Sequence, residues 1–255
     1  MKQKIKNFIL NLNIIRRFLG YSFFKLLLAN DLSFKIKSKP PKGKVLVLSP
    51  HPDDDVFGCG GAINLHFKQK DKVYIVYLTS GKSKEKNTRQ KETRKSAKIL
   101  GVKDLFFLNF KDGNLSADER TTRALEEIIL KINPNIIYVP SFLDSHNDHL
   151  ATAQILFKIL ERIKFKGLIF NYEIWSPIYT NFLLKIDGVV ESKTRAIKAH
   201  QSQLKERNYL KGILGLNQYR AQMFGASDFA EGFFVCNSEI YLKIGNRFFN
   251  NGATK

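Results

Sequence analysis

The stretch Val45-Leu46-Val47-Leu48-Ser49-Pro50-His51-Pro52-Asp53-Asp54-Asp55 decides how this chain folds. Its four leading apolar residues are typical of a buried strand, yet a histidine and three carboxylates follow almost at once. Burying even one such charge without a partner costs several kcal/mol. The stretch therefore indicates a strand that ends at a bound cation or at a reaction, because a core would not tolerate these residues.

A second cluster of similar composition, Asp144-Ser145-His146-Asn147-Asp148-His149, comes just after the apolar run Ile136-Ile137-Tyr138-Val139. This run also predicts a strand. Two clusters of His and Asp, each at the end of a strand, are typical of a metal site built across a sheet.

Downstream of Lys39-Pro40-Pro41-Lys42-Gly43, which predicts a linker, short apolar runs alternate with helical patterns. The helix near residue 88 is expected to begin after a cap at Asn87-Thr88 and to end at Gly101. The alternation predicts an α/β fold, Rossmann-like, with a mostly parallel twisted sheet flanked by helices. Strands are expected at 44–49, 72–78, 104–109, 136–140 and 167–172, and helices at about 58–70, 88–100, 117–132 and 148–164.

The fold places the two clusters relative to each other. In a sheet of strand order 3-2-1-4-5, the first and fourth strands are neighbours, and ligands bind beyond their carboxyl ends. The first predicted strand ends at the 51–55 cluster, and the fourth ends just before the 144–149 cluster. We therefore expect the two clusters to face each other across one crevice.

Length and composition fit one large α/β domain, since the chain has 255 residues and 44% of them are hydrophobic. The two cysteines, Cys59 and Cys236, form no CxxC pair and no disulfide framework, which favours a reducing compartment. Cys59 lies in a glycine-rich stretch that predicts a turn, and we expect it to be a small packed residue.

The net charge of +19 is concentrated at one end, because residues 1–44 hold eleven Lys or Arg and one Asp. A uniformly basic domain would favour nucleic-acid binding, whereas a basic terminal segment suggests attachment or docking. Residues 2–30 mix cations with apolar side chains, and Arg16, Arg17 and Lys25 interrupt every apolar run. This pattern predicts neither a membrane span nor a secretory signal.

Two interpretations of residues 2–30 stay open. The segment is either an amphipathic helix on an anionic membrane face or a helix packed on the domain. The predicted organisation is a basic amphipathic segment and linker at 1–43, followed by a catalytic domain at 44–255. The predicted location is cytoplasmic, with peripheral contact to the inner face of the membrane as the alternative.

The clusters contain the groups that metal-assisted hydrolysis needs. Mixed His and Asp ligands suit zinc or another borderline divalent ion, and three protein ligands plus water are typical of a catalytic site. Such an ion lowers the pKa of its water toward about 7 and polarises a carbonyl. A neighbouring carboxylate can take the water's proton and return it to a leaving amine, and a protonated histidine can stabilise the oxyanion.

At these residues the chain also resembles a known family. His51-Pro52-Asp53-Asp54, followed by Gly58-Cys59-Gly60-Gly61, is similar to the AHPDDE…GCGG signature of the LmbE-like, or PIG-L-type, zinc N-deacetylases. His146-Asn147-Asp148-His149 is similar to their HPDH motif. The resemblance extends from about Lys44 to Phe234 and includes Thr79-Ser80-Gly81, Arg89-x-x-Glu92, Leu100-Gly101, Asp112-Gly113, His200-Gln201-Ser202-Gln203 and Ala230-Glu231-Gly232-Phe233.

The resemblance implies a metal centre and a base. His51, Asp54 and His149 would bind one zinc ion, with ferrous iron as the alternative, and would leave a position open for water. Asp53 would be the general base and later the acid that protonates the departing amine. The implied activity is hydrolysis of the N-acetyl group of an N-acetylglucosamine-type sugar, carried on a glycan, glycolipid or nucleotide-sugar precursor. The basic N-terminal segment favours an anionic or membrane-held precursor of cell-surface polysaccharide.

The resemblance implies further roles around that centre. His146 would steady the tetrahedral oxyanion, and Asp148 would orient a histidine. Arg89 and Asp112 match positions that contact the sugar, although an exposed charge on a helix is an equal interpretation of Arg89. Trp175 is expected either to stack on a sugar face or to pack. His200 is either a functional or a buried structural histidine.

Three positions depart from the family pattern: Asp55 where Glu is usual, Asn147 in place of proline, and Ser49-Pro50 before the histidine. None removes an implied ligand, so we expect an active enzyme. Two other hypotheses stay open. One is a metal-dependent hydrolase of a different amide, and the other is a non-enzymatic basic module recruited to nucleic acid or membrane, which the intact Asp53 and His146 disfavour.

Overall fold

A computed structural model describes residues 34–81 and 85–250. Contacts divide the chain into Met1–Phe34 and Lys35–Lys255, and the second unit contains the sheet. The basic segment predicted at residues 2–30 lies outside the described residues. The sheet begins at Lys35, inside the range that the sequence assigned to the N-terminal segment and linker.

The described residues form eight strands and eight α-helices. The strands are β1 (Lys35–Lys37), β2 (Val45–Ser49), β3 (Val73–Thr79), β4 (Asp104–Phe110), β5 (Ile136–Pro140), β6 (Leu168–Tyr172), β7 (Phe182–Lys185) and β8 (Ala230–Asn237). The α-helices are α1 (Asp54–Lys68), α2 (Lys86–Leu100), α3 (Glu119–Ile132), α4 (Asn147–Arg162), α5 (Val190–Ala199), α6 (Gln201–Glu206), α7 (Tyr209–Met223) and α8 (Ser238–Gly245).

The sheet has the order β1-β7-β8-β6-β5-β2-β3-β4. Strands β2 to β6 form the parallel part of the sheet, in the order β4-β3-β2-β5-β6. This order confirms the one predicted for the five strands. Strand β8 runs antiparallel to both β6 and β7 and extends the sheet beyond the parallel part. In the centre, β2 pairs with β5 from Val45 opposite Ile136 to Val47 opposite Tyr138. The carboxyl ends of these two strands therefore meet at one edge.

The centre of the sheet is shielded from solvent. Every residue of β2 and of β5 is buried. Strands of continuous Val, Ile and Leu are typical of a parallel sheet covered by helices on both faces. Each fully buried side chain of this kind contributes about 1.5–3 kcal/mol relative to an exposed one, so the core holds the strand ends in fixed positions.

Two local predictions are wrong. Helix α1 begins at Asp54 and passes through Cys59, so the glycine-rich stretch that predicted a turn lies inside a helix with a break. Helix α2 begins at Lys86, after Glu85, so Asn87-Thr88 lies within the helix and does not cap it. The predicted end is confirmed, since Gly101 adopts a left-handed φ of 78°.

Candidate active site

The two clusters meet at the shared edge of β2 and β5. The Nδ1 atom of His51 lies 2.9 Å from Oδ2 of Asp54, and Nε2 of His149 lies 3.1 Å from the same oxygen. All three side chains are buried. The three residues expected to bind a metal therefore lie together, with both histidines against one oxygen of Asp54. His51 and Asp54 follow β2, whereas His149 follows β5, much later in the chain.

The chemistry of these atoms fits a divalent cation. Burial opposes a charge on His149, but the carboxylates of Asp54 and Asp144 outweigh it and raise its pKa to about 9. The same competition between burial and nearby carboxylates holds the pKa of His51 well above its usual value. Both ring nitrogens of His149 are buried, and their only close polar contacts are carboxylate oxygens, of Asp54 at 3.1 Å and of Asp144 at 3.2 Å, within the residues that the structure describes. A field of carboxylates that favours positive charge at imidazole nitrogens suits a metal, which would compete with protons for these rings.

Two other groups of atoms lie close enough to share an ion. The first consists of His51, His146 and His149, and the second of His51, Asp112 and Asp148. Asp148 is less available, because its two oxygens already accept the backbone N–H groups of Gly113 at 2.7 Å and Leu115 at 3.1 Å. His51 and His149 belong to the first of these groups and both contact Asp54, so His51, Asp54 and His149 are called the donor set below.

Asp148 instead supports a ligand. Its Oδ2 lies 3.0 Å from Nε2 of His51, and Oδ1 of Asp112 lies 3.1 Å from the same nitrogen. Carboxylates in this position fix the ring orientation of a metal-binding histidine. The geometry agrees with the orienting role implied for Asp148, and it places Asp112 against the same ring.

Asp53 lies beside the donor set and is paired with Arg89. An Nη2–H of Arg89 donates to Oδ1 of Asp53 at 3.0 Å, and both residues are buried, so Arg89 is not an exposed helix charge. Gly81 has a φ of 71°, and a Cβ there would collide with the guanidinium group of Arg89. Burial raises the pKa of Asp53 to about 6, against the lowering effect of Arg89. A carboxylate with such a pKa can both take and return a proton near neutral pH.

His146 caps the first turn of α4. Its Nδ1 accepts the backbone N–H of Asp148 at 3.2 Å, which leaves the ring proton on Nε2. Burial and the charges of His51 and His149 lower the pKa of His146. The structure thus favours a neutral ring, with its proton on Nε2, at the wall of the pocket, where the sequence analysis considered a protonated histidine.

A cavity of about 140 Å³ opens onto this cluster. The three residues expected to contact the substrate, Arg89, Asp112 and Trp175, all line it. The Trp175 side chain is 41% exposed at the rim. Sequence reasoning missed Phe57, Gln203 and Tyr209 as lining residues, and it missed Asp144, whose Oδ2 lies 3.2 Å from Nδ1 of His149. Asp144 stood inside the quoted cluster and Gln203 inside the quoted stretch 200–203, but Phe57 and Tyr209 carried no local signal.

Helix α1, which carries Asp54, is broken just beyond the site. Cys59 has non-helical angles (φ −143°, ψ 25°), so the helix consists of two pieces. Nζ of Lys193 donates to the carbonyl of Phe57 in the first piece at 3.1 Å. Glu231 accepts the N–H groups of Gly61 at 2.7 Å and Ala62 at 2.8 Å in the second piece.

Lys193 and Glu231 are themselves paired, with Nζ 2.7 Å from Oε1, and both are fully buried. The cation therefore meets the carbonyl end of one helical piece and the anion meets the N–H end of the next, as the helix dipoles require. The glycines allow this approach, since a Cβ on Gly60 would lie 3.2 Å from Lys193 and one on Gly61 would lie 3.0 Å from Glu231. The Lys193–Glu231 pair thus holds the piece of α1 that begins at the donor set.

The fold and the site fit an α/β enzyme, and comparison with known proteins identifies it as one of the class that acts on an amide. The chain belongs to the PIG-L family, whose model, described as GlcNAc-PI de-N-acetylase, matches residues 46–160. It is 31% identical over 207 residues to the diacetylchitobiose deacetylase of Thermococcus kodakarensis, an alignment that covers 70% of this chain and 77% of the relative. It is 26% identical to the "Probable N-acetyl-alpha-D-glucosaminyl L-malate deacetylase 2" of Bacillus anthracis, covering 62% of this chain and 80% of the relative.

The fold is similar to that of solved structures. The N,N'-diacetylchitobiose deacetylase from Pyrococcus horikoshii superimposes with a TM-score of 0.68 at 24% identity, over 86% of this chain and 93% of that one. Within residues 34–81 and 85–250, no helix combines the length and apolarity needed to cross a membrane.

Proposed function

We propose that this protein hydrolyses the N-acetyl group of an N-acetylglucosamine-type sugar and releases acetate and the free amine. The observation that carries the proposal is the convergence of His51 and His149 on Asp54, with Asp53 in the same 140 Å³ cavity. The names of the relatives, diacetylchitobiose deacetylase among them, support the choice of an N-acetylated amino sugar.

Each residue of the site has its own role in the proposed reaction. His51, Asp54 and His149 would hold one zinc ion, with ferrous iron as the alternative. The ion would supply electrophilic activation of a water molecule and of the acetyl carbonyl. Asp53, oriented by Arg89, takes a proton from the attacking water and gives it to the departing amine. His146 donates its Nε2–H to the oxyanion that forms at the carbonyl.

Acetate release tests the proposal. The holoenzyme is assayed with N-acetylhexosamines that are free, nucleotide-linked and lipid-linked. Asp53→Asn is expected to lower acetate release by about 10²–10⁴-fold, because it removes the base and leaves the donor set intact. Asp104→Asn is the matched control, since Asp104 is exposed at the amino end of β4, away from the site.

Acetate release that persists in Asp53→Asn would contradict the role of Asp53. No release from any sugar, with stoichiometric metal bound, would favour hydrolysis of a different amide. Tight, salt-sensitive binding to duplex DNA by a protein without activity would instead support a basic binding module.

The cellular location remains part of the proposal. We place the enzyme in the cytoplasm, with residues 2–30 as a candidate contact to an anionic membrane face. Pelleting of the full chain with anionic but not with neutral liposomes would support that contact. Equal recovery of the protein in the supernatant with anionic and with neutral liposomes would contradict the proposed membrane contact.

A further inference from the structure

Helix α2 carries a second charged side chain that contacts a distant part of the chain. Glu92 lies one turn after Arg89, the residue paired with Asp53. Its Oε1 accepts the backbone N–H of Ser202 at 2.8 Å, and its Oε2 accepts the hydroxyl of the same serine at 2.6 Å. Hydrogen bonds to an ionised carboxylate are about twice as strong as neutral ones, and two of them to one residue also fix its orientation. The proposed reaction gives Glu92 no role, yet both of its oxygens are bonded.

Ser202 lies at the start of a short helix whose own N-cap residue does not cap it. It is the second residue of α6, which has six residues, and a helix of this length is marginal without outside contacts. The N-cap residue His200 makes no side-chain hydrogen bond to the first turn. The first N–H groups of a helix need an acceptor, and a negative charge is favourable there. Glu92 supplies both from another helix.

The same short helix forms part of the catalytic cavity. Gln203, which follows Ser202, is buried and lines the cavity, and its Nε2 donates to Oγ of Ser202 at 3.4 Å. Tyr209, three residues beyond α6, also lines the cavity, and its ring stacks on that of Phe57 at a centroid distance of 5.3 Å. The contact between Glu92 and Ser202 therefore secures the helix that contributes this wall.

Two parts of the site are thus joined through one carboxylate. Helix α2 holds the proposed base through Arg89, and the next turn of the same helix holds the start of α6. We infer that Glu92 is a positioning residue for substrate binding, which fixes Ser202 and so keeps the α6 wall of the cavity in place relative to the Arg89–Asp53 pair. This inference rests on the proposed function and adds a residue that acts on binding without touching the substrate.

Kinetics separate positioning from simple stabilisation of the fold. Glu92→Ala removes both acceptors and leaves Asp53 and the donor set unchanged. The KM for acetate release by the metal-loaded enzyme is expected to rise about tenfold, with kcat changed less than about threefold, because the lost contacts act on binding. Glu92→Gln retains an oxygen for the N–H of Ser202 and is expected to restore most of the wild-type KM. Lys95→Ala is the matched control, since Lys95 is exposed on the same helix.

Fluorescence gives a second readout that needs no substrate. Trp175 is the one tryptophan in the chain, and it lines the cavity. Cζ of Arg207, the residue after α6, lies 5.6 Å from the centre of its ring, and the ring of Tyr209 lies edge-on at 6.0 Å. Release of α6 would loosen these contacts, so acrylamide should quench Trp175 more strongly in Glu92→Ala than in the wild type. Quenching in Lys95→Ala should equal that in the wild type.

A milder variant covers the case in which Glu92→Ala does not fold. Ser202→Ala removes the hydroxyl contact and keeps the backbone N–H that donates to Oε1 of Glu92. Both the KM and the quenching of Trp175 should therefore shift in the same direction as in Glu92→Ala, by a smaller amount.

Wild-type KM and quenching in a folded Glu92→Ala protein would overturn the inference, even if its urea midpoint fell. A fall in kcat at unchanged KM would also overturn it, because the effect would then lie in the chemical step. No acetate release by the wild type, combined with stronger quenching in Glu92→Ala, would contradict the proposed activity and leave the positioning of the α6 wall by Glu92 in place.

Discussion

Two buried ionic clusters contact α1, one at its first residue and one across its break, and they differ in how their polar atoms are bonded. Nζ of Lys193 donates to three acceptors, in Phe57, Asn217 and Glu231. Around the donor set, in contrast, the two ring nitrogens of His149 face only carboxylate oxygens among the described residues, of Asp54 at 3.1 Å and of Asp144 at 3.2 Å, and neither contact has good hydrogen-bond geometry.

The comparison distinguishes structure from function. A buried charge without partners is costly, so a protein keeps one only where something else binds it or uses it. The saturated cluster holds backbone in place, and the unsaturated cluster is where we propose that a cation binds.

The largest expected effect comes from removing a donor in the unsaturated cluster. Asp54→Asn is expected to lower acetate release by about a thousandfold or more and to lower the bound metal to near zero, because an amide replaces the carboxylate that both histidines contact. Acetate release and elemental analysis measure the two effects, with Asp104→Asn as the control. Full metal content with normal turnover in Asp54→Asn would mean that a different group of residues binds the ion.

The saturated cluster is expected to respond in stability. Lys193→Met leaves Glu231 charged and buried without its cation, so the free energy of unfolding should fall by about 3–5 kcal/mol. The double variant Lys193→Met/Glu231→Gln should recover part of this loss, because no buried charge remains. Urea unfolding of the holoenzyme gives both values. A single variant as stable as the wild type would show that the pair does not hold α1.

A third prediction concerns His200, a buried histidine whose ring nitrogens also make no hydrogen bond with a described residue. Burial lowers its pKa to about 3. The unfolded state therefore takes up the proton first, so the stability from this group is complete above about pH 6.5 and is lost as the pH falls toward 3. At pH 5 the loss is about 2 kcal/mol.

His200→Gln removes this titration. Its stability relative to the wild type should thus improve between pH 8 and pH 5, and the value at pH 8 serves as the internal control for packing. Urea midpoints at the two pH values measure the change. A constant difference between the two proteins would mean that His200 is already bonded or protonated in the folded state.

The sequence was most informative where local pattern and long-range position agree. Strands β2 and β5 read as unbroken apolar runs because both faces of a parallel strand are covered, and their order placed the two clusters together. The contacts of His51 with Asp54 and Asp148 follow from that placement. Strand β8 was missed because Glu231 and Gly232 interrupt its apolar pattern. Glu231 accepts backbone N–H groups of α1, and Gly232 leaves room for side chains of a neighbouring loop and of α7.

Other features depend on contacts that no local pattern contains. The break at Cys59 is contacted by Lys193, and Lys193 comes from a helix far along the chain. Tyr209 and Gln203 reach the cavity only because the chain returns over the site after β7. The neutral state of His146 follows from its position at the start of α4, where its Nδ1 accepts a backbone N–H.

Strand β8 has a consequence for how this molecule could be divided. The strand runs antiparallel to both β6 and β7 and carries Glu231, which accepts the N–H groups of Gly61 and Ala62 beyond the break in α1. The segment matched by the family model, residues 46–160, contains Asp53, Asp54, His146 and His149 but not Glu231. A fragment limited to that segment would therefore carry the proposed catalytic residues without a contact that positions α1.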